Sequence, residues 1–147
     1  MKIDLMVKYP KSNRGKISAD RLQVSLEDRI AAQKFDKLYF DGPRKFGYGG
    51  YTYDPKYFTG VVQDFISHFD LRAGDSILDV GCGKGFMLHD FLCANPKFVV
   101  RGLDISSYCF DNAMPDIKPV FDVGSCDDLP YDDDSFDVVI AIASIHN

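Results

Sequence analysis

The segment from Ile77 to Phe86 (ILDVGCGKGF) constrains the fold more than any other part of this chain. Its first half is short, apolar and β-branched, which predicts a buried strand over Ser76–Val80. Glycines follow at positions 81, 83 and 85, and glycine permits positive φ and the close approach of a ligand. From Phe86 the apolar spacing becomes helical. A glycine turn that leads into a helix N-terminus offers backbone N–H donors to an anionic or polar ligand.

The spacing of the glycines separates two nucleotide-binding families. The dinucleotide fingerprint is G-x-G-x-x-G, whereas this chain has G-x-G-x-G with Asp79 two residues before Gly81. That arrangement resembles motif I of the class I S-adenosylmethionine-dependent methyltransferases. The resemblance runs from about residue 55 to residue 147. A nicotinamide-dependent oxidoreductase is a rival interpretation, which the spacing disfavours.

Asp104 ends the second predicted strand, Phe98–Asp104, about twenty residues beyond the glycine turn. A carboxylate at this place can accept both ribose hydroxyls of an adenosine, and the matching acidic residue of the methyltransferase family does so. The alternative is that Asp104 only caps the next helix, which is predicted to begin near Ser106.

A third strand is predicted over Pro119–Val123, followed by the segment Ser125–Asp127. This segment resembles the family's loop that contacts the adenine edge, but Ser125 stands where the family usually has aspartate. Asp127 or the Cys126 N–H is therefore an alternative adenine contact. A fourth strand is predicted over Phe136–Ser144, and His146 follows it. His146 is predicted either as a base or as a structural or stacking side chain.

The resemblance implies an α/β, Rossmann-like, doubly wound parallel sheet with strand order 3-2-1-4. Residues 1–54 are predicted to form an N-terminal extension with a helix and a lid, and residues 55–147 a partial S-adenosylmethionine-binding domain. The later strands of the family are missing, so we expect a truncated domain. Its exposed fourth strand would pair with another copy or a completing partner.

The extension contains two features with structural meaning. Ser25 and Asp28 form a predicted capping box for a helix to about Lys37. Tyr48 and Tyr51 lie in a segment of alternating glycine and aromatic residues. This segment is either a surface loop packed by its own rings or a lid whose tyrosine faces contact a sulfonium.

Composition limits the classes of function. The net charge is −5, which argues against a phosphate-tracking nucleic-acid surface. No apolar run is long enough for a membrane span. The four cysteines form no C-x-x-C pair, so we expect reduced thiols in a cytoplasmic protein. The aspartates between residues 127 and 137 lack the spacing of a calcium loop, so no metal is predicted.

The sequence thus predicts an S-adenosylmethionine-dependent methyltransferase that acts on an unidentified small molecule. The alternative is a non-catalytic module that binds the cofactor or a partner. The candidate catalytic residues are Tyr48, Tyr51 and His146. The predicted cofactor-binding residues lie at the ends of the first three strands: Asp79, Gly81, Cys82, Gly83, Gly85, Phe86, Asp104, Ile105, Ser125, Cys126 and Asp127.

Overall fold

The computed structural model describes residues 2–11 and 24–144. The chain forms two compact units. One contains Met1–Tyr9 and Asp54–Asn147, and the other contains Pro10–Tyr53. Among the residues described, no helix has the length and apolar character needed to cross a bilayer.

The larger unit is built on a parallel sheet of four strands in the order β3-β2-β1-β4. The strands are β1 (Ser76–Val80), β2 (Val99–Asp104), β3 (Phe121–Val123) and β4 (Val138–Ile140). β1 is central, and its register with β2 runs from Ser76↔Val99 to Val80↔Leu103. The predicted fold class and strand order are confirmed. Because all strands are parallel, their carboxyl ends meet at one edge of the sheet.

Helices connect these strands as crossover elements. In chain order the helices of the larger unit are α3 (Thr59–Phe69), α4 (Phe86–Ala94) and α5 (Ser107–Asp111), with a 3₁₀ turn at Lys118–Val120. α3 packs on α4, and α4 packs on β2. The core side chains are almost fully buried and come from both helices and strands: Val61, Val62, Ile77, Leu78, Leu88, Phe91 and Leu103.

β4 differs from its prediction. The apolar stretch Phe136–Ser144 predicted a long strand buried on both faces, but only Val138–Ile140 pairs with β1. Ile140 is buried, whereas Val139 is 57% exposed. β4 lies at one edge of the sheet that the described residues form. The apolar pattern alone does not distinguish a central strand from an edge strand.

The smaller unit contains α1 (Leu26–Ala32) and α2 (Lys37–Asp41). The predicted capping box is present, since Asp28 N–H donates to Ser25 Oγ and Ser25 N–H to the Asp28 carboxylate. The prediction that this helix continues to about Lys37 is wrong. Phe35 takes a left-handed φ of 48°, and Asp36 caps a new helix by accepting the Leu38 N–H at 2.8 Å.

Gly85 and Gly74 provide a matched test of packing at the end of the glycine turn. Both have positive φ. A Cβ at Gly85 would lie 2.5 Å from Cγ2 of the fully buried Ile117, whereas a Cβ at Gly74 would meet nothing within 4 Å. We expect Gly74→Ala to lower the free energy of unfolding by about 1 kcal/mol and Gly85→Ala by about 2 to 4 kcal/mol. Urea denaturation measures both. Equal losses would contradict the tight packing on Ile117.

Candidate binding site at the carboxyl edge of the sheet

The turn after β1 is held against β2 by backbone hydrogen bonds. Gly81, Gly83 and Gly85 all have left-handed φ values, of 78°, 57° and 79°. The N–H groups of Gly81 and Cys82 both donate to the Leu103 carbonyl, at 2.7 and 3.1 Å. The turn therefore curls over the end of β2 instead of projecting into solvent. Side chains at these glycines would be strained by the φ values alone.

Ser144 fills the space beside Gly81. A Cβ on Gly81 would lie 2.2 Å from Cβ of Ser144. The Ser144 hydroxyl oxygen is buried, and no hydrogen-bond partner for it exists among the residues described. A buried hydroxyl without a partner is costly. A polar ligand that lies along the turn would provide that partner.

Asp104 joins the turn to the second strand. Its Oδ2 accepts the Gly83 N–H at 2.7 Å, and its Oδ1 accepts the Ser106 N–H at 2.9 Å. The capping interaction considered for Asp104 therefore exists together with its contact to the turn. Each carboxylate oxygen has two lone-pair sites, so the side chain can accept further hydrogen bonds from a ligand. Asp104 is only 8% exposed, and burial raises its pKa although both N–H donors oppose that shift.

Asp79 is a second buried carboxylate beside Asp104. It lies on β1 and is 6% exposed. Burial, and then the charge of Asp104, raise the pKa of Asp79 from its ordinary 3.8 to about 7. Two desolvated carboxyl groups give this end of the sheet an excess of negative potential. A cationic group in the ligand would reduce the electrostatic cost of ionising both.

The side chains of Cys82 and Lys84 are both buried beside the turn. The Cys82 thiol is buried, and a Cβ on Gly102 of β2 would lie 2.8 Å from its sulfur. Burial and the nearby carboxylates raise the pKa of Cys82, so the thiol stays protonated and is no nucleophile. Lys84 is 7% exposed, and its Nζ lies 5.5 Å from the centre of the Tyr108 ring.

The first turn of α4 points its backbone at the same region. Gly85 is the N-cap, and it makes no side-chain capping hydrogen bond. Phe86 begins the helix and is buried. An N-terminus of this kind favours an anionic or polar group.

The segment after β3 reaches the same edge. The Gly124 N–H donates to the Asp104 carbonyl at 3.0 Å, which places Ser125–Asp127 directly beyond the end of β2. Ser125 Oγ accepts the Asp127 N–H at 3.2 Å. Ile105 follows Asp104 and is 58% exposed. The structure thus brings all predicted cofactor-binding positions to one edge of the sheet.

The three predicted catalytic residues do not belong to the described part of the larger unit. Tyr48 and Tyr51 belong to the smaller unit, where their ring centres lie 4.5 Å apart and both pack on Phe40. The Tyr51 N–H donates to Asp41 at 2.8 Å. His146 lies outside the described residues. The roles suggested for these three residues stay predictions.

Sequence reasoning missed two residues of the site. Lys84 stands between two of the turn glycines, so its position was a usable signal, but its burial is evident only in the structure. Ser144 belongs to an apolar stretch and has no motif of its own. Its hydroxyl meets Gly81 only because β4 lies beside β1.

Comparison with known proteins agrees with this geometry. The family model of the methyltransferase domain matches residues 77–147. This part of the chain is similar to class I methyltransferase domains. The resemblance to the class I S-adenosylmethionine-dependent methyltransferases, inferred from the sequence, is confirmed.

Individual relatives match a similar portion of the methyltransferase domain. The chain is 39% identical over 96 residues to 27-O-demethylrifamycin SV methyltransferase of Amycolatopsis mediterranei. It is 36% identical over 85 residues to phosphoethanolamine N-methyltransferase 1 of Triticum aestivum. These matches cover 60% and 54% of this chain but only 35% and 17% of the two relatives. The chain thus spans about a third or less of the relatives that it matches.

A solved structure supports the fold. A protein described as a methyltransferase of an antibiotic biosynthesis pathway in Anabaena variabilis superposes with a TM-score of 0.50 at 28% identity. The superposition covers 58% of this chain and 34% of that protein.

The residues of the methyltransferase domain fit S-adenosylmethionine as a ligand. The buried Ser144 hydroxyl beside Gly81, which has no partner among the residues described, leaves a polar contact for a group along the turn. The buried carboxylates of Asp79 and Asp104 suit a ligand that carries positive charge and hydroxyl donors.

The raised pKa of Asp79 predicts a stability that depends on pH. The folded state holds this proton more tightly than the unfolded state, so the stabilising effect of protonation is complete below about pH 4 and is lost as pH rises through about 7. Asp79→Asn removes the ionisation. As the pH rises from 5 to 8, the wild type loses the stabilising effect of the Asp79 proton and the variant does not. We therefore expect the free energy of unfolding of Asp79→Asn to rise by about 2 to 3 kcal/mol relative to that of the wild type over this range.

Urea denaturation at several pH values measures this difference, with Asp111→Asn as an exposed control of the same charge change. A gap between wild type and Asp79→Asn that does not vary with pH would contradict the buried ionisation.

Proposed function

We propose that this chain supplies the cofactor-binding part of an S-adenosylmethionine-dependent methyltransferase that acts on a small-molecule acceptor. One observation carries the proposal. The Gly83 N–H donates to Asp104 at 2.7 Å, so the glycine turn and the carboxylate of the next strand form a single binding surface. The match of residues 77–147 to the methyltransferase domain family supports the same activity.

The methionine end of the cofactor is assigned to the glycine turn. Gly81, Gly83 and Gly85 allow its carboxylate and amino groups to approach the backbone, and the first turn of α4 offers N–H donors through Phe86. Asp79 faces this region as a buried acid and attracts the positive charge of the amino acid or the sulfonium.

The adenosine end is assigned to β2 and the segment after β3. Asp104 has lone pairs left for the ribose hydroxyls after its two backbone contacts. Ile105 offers an apolar surface, and Ser125, Cys126 and Asp127 are the candidates for the adenine edge. Of these, the Cys126 N–H and the Asp127 carboxylate are suited to the adenine ring nitrogen and exocyclic amine respectively.

When bound, S-adenosylmethionine supplies an electrophilic methyl group to a nucleophile of the acceptor. This chain holds the donor in one orientation and removes water from around it. The buried turn and the rigid sheet edge suit that task, since positioning supplies much of the rate in such a transfer. Tyr48, Tyr51 and His146 are proposed to act on the acceptor side.

The names of two relatives support a small molecule as the acceptor. Both 27-O-demethylrifamycin SV methyltransferase and phosphoethanolamine N-methyltransferase carry the name of a small-molecule acceptor. The chain has a net charge of −5, which disfavours a nucleic-acid acceptor.

Calorimetric titration with S-adenosylmethionine tests the binding site. We expect the wild type to bind, and Asp104→Asn to bind at least about tenfold more weakly, because an ionised acceptor is lost. Asp111→Asn, an exposed change of the same charge, should bind like wild type. Circular dichroism checks that each variant is folded. Absence of binding by the folded wild type would overturn the proposal.

A turnover assay distinguishes a catalytic methyltransferase from a non-catalytic binding module. We expect S-adenosylhomocysteine to form when the chain is incubated with S-adenosylmethionine and a panel of small amines and alcohols. Mass spectrometry detects this product. Binding without any product from the panel would favour the non-catalytic alternative for this chain.

A further inference from the structure

A cysteine, a histidine and an aspartate form a hydrogen-bonded series on the outer face of α4. Cys93 Sγ lies 3.4 Å from His89 Nε2, and His89 Nδ1 lies 2.7 Å from Asp116 Oδ2. Cys93 is exposed, and the side chains of His89 and Asp116 are 22% and 37% exposed. This series has no place in the proposed binding of the cofactor.

The fold places the three side chains next to one another. Gly85, His89 and Cys93 follow one another at intervals of four residues, so they share one face of α4. The segment that contains Asp116 is anchored on that face, because the next residue, Ile117, is fully buried against Gly85. The Met114 N–H adds a hydrogen bond to the Lys84 carbonyl at 2.9 Å. Asp116 therefore lies beside His89 for a structural reason.

The order of the three groups suits proton transfer from the Cys93 thiol to His89. When Asp116 accepts the Nδ1–H, neutral His89 carries its lone pair on Nε2, which faces the sulfur. Nε2 can then take the thiol proton, and the Asp116 carboxylate stabilises the imidazolium that results. The thiolate is the nucleophilic form of cysteine. Carbonyl groups at the end of α4 disfavour a negative charge there, so activation depends on the local base.

The cluster does not have the geometry of a metal site. Within residues 2–11 and 24–144, no group of three or more Cys, His, Asp or Glu side chains could hold a metal ion. A linear series with the histidine in the middle serves proton transfer instead.

We propose that Cys93 is an activated surface thiol that is modified by low-molecular-weight disulfides. In the reaction His89 takes the proton of Cys93, and the thiolate attacks one sulfur of the disulfide. A new S–S bond forms to Cys93 as the original S–S bond breaks. The leaving thiolate takes the proton from His89. The disulfide is the oxidant, and its second half leaves as a free thiol.

Cys126 provides a reference inside the same molecule. It is the other exposed cysteine of the four, whereas Cys82 and Cys109 are buried. Among the residues described, no histidine is hydrogen-bonded to its sulfur. If exposure alone set the rate of thiol modification, Cys93 and Cys126 would react at similar rates. Activation by the His89–Asp116 pair predicts a faster reaction for Cys93 only.

The test measures rates of alkylation by iodoacetamide and of mixed-disulfide formation with oxidised glutathione, by peptide mass mapping at neutral pH. We expect Cys93 to react at least about tenfold faster than Cys126 in the folded protein. In urea, where the cluster is lost, the two rates should converge. This measurement needs no variant and therefore cannot fail because a variant misfolds.

Variants identify the base and the residue that positions it. His89→Gln should lower the modification rate of Cys93 by about tenfold or more and leave the modification rate of Cys126 unchanged. The thiolate absorbance of Cys93 is obtained by subtracting the absorbance of Cys93→Ser from that of the protein with Cys93 intact. Asp116→Asn, which keeps a hydrogen-bond acceptor but removes the charge, should lower this absorbance. Asp116→Glu should restore part of it. Equal rates for Cys93 and Cys126 in the folded protein, or a Cys93 rate unaffected by His89→Gln, would overturn the proposal.

Discussion

The hydrogen bond from the Gly83 N–H to Asp104 is the interaction on which the site depends. It joins two segments that are 21 residues apart in the chain. The turn can reach the carboxylate only because Gly81, Gly83 and Gly85 take left-handed φ values and because β1 and β2 are adjacent and parallel. The Leu103 carbonyl supports the same approach by accepting two N–H groups of the turn. The geometry of the site thus follows from the pairing of the first two strands.

This arrangement places two acids in a desolvated region. Asp79 and Asp104 are both buried, and the pKa of each is raised. Such a pair lowers the stability of the folded protein at neutral pH. The cost is offset when a ligand brings hydroxyl donors and positive charge to the two carboxylates. A site that is unfavourable by itself and favourable with its ligand is expected where binding is the function.

The helix that follows the glycine turn presents two different chemistries. Its first turn, at Gly85 and Phe86, points backbone N–H groups at the binding edge. Its last turn carries Cys93, with His89 one turn earlier. Ile117 connects the two regions physically, because it is buried against Gly85 and holds Asp116 beside His89.

Much of the fold was predictable from short-range patterns. β1 and β2 lie within a residue of their predicted bounds, and α4 begins at Phe86 as predicted, since a buried strand and a glycine turn are strong local signals. The extent of β4 and the end of α1 were not predictable in this way. A uniformly apolar stretch does not reveal how many of its residues pair with a neighbour. The left-handed φ of Phe35 has no signal in the residue type.

The sequence by itself determined the strand β1, the glycine turn between β1 and α4, and the positions of Asp79 within β1 and of Asp104 at the end of β2. These features depend on residue type and spacing within short segments. Only the tertiary structure decided that Ser144 meets Gly81, that Lys84 is buried, and that Asp116 aligns His89 with Cys93. Each of these contacts joins segments far apart in the chain, and packing against a third element selects it.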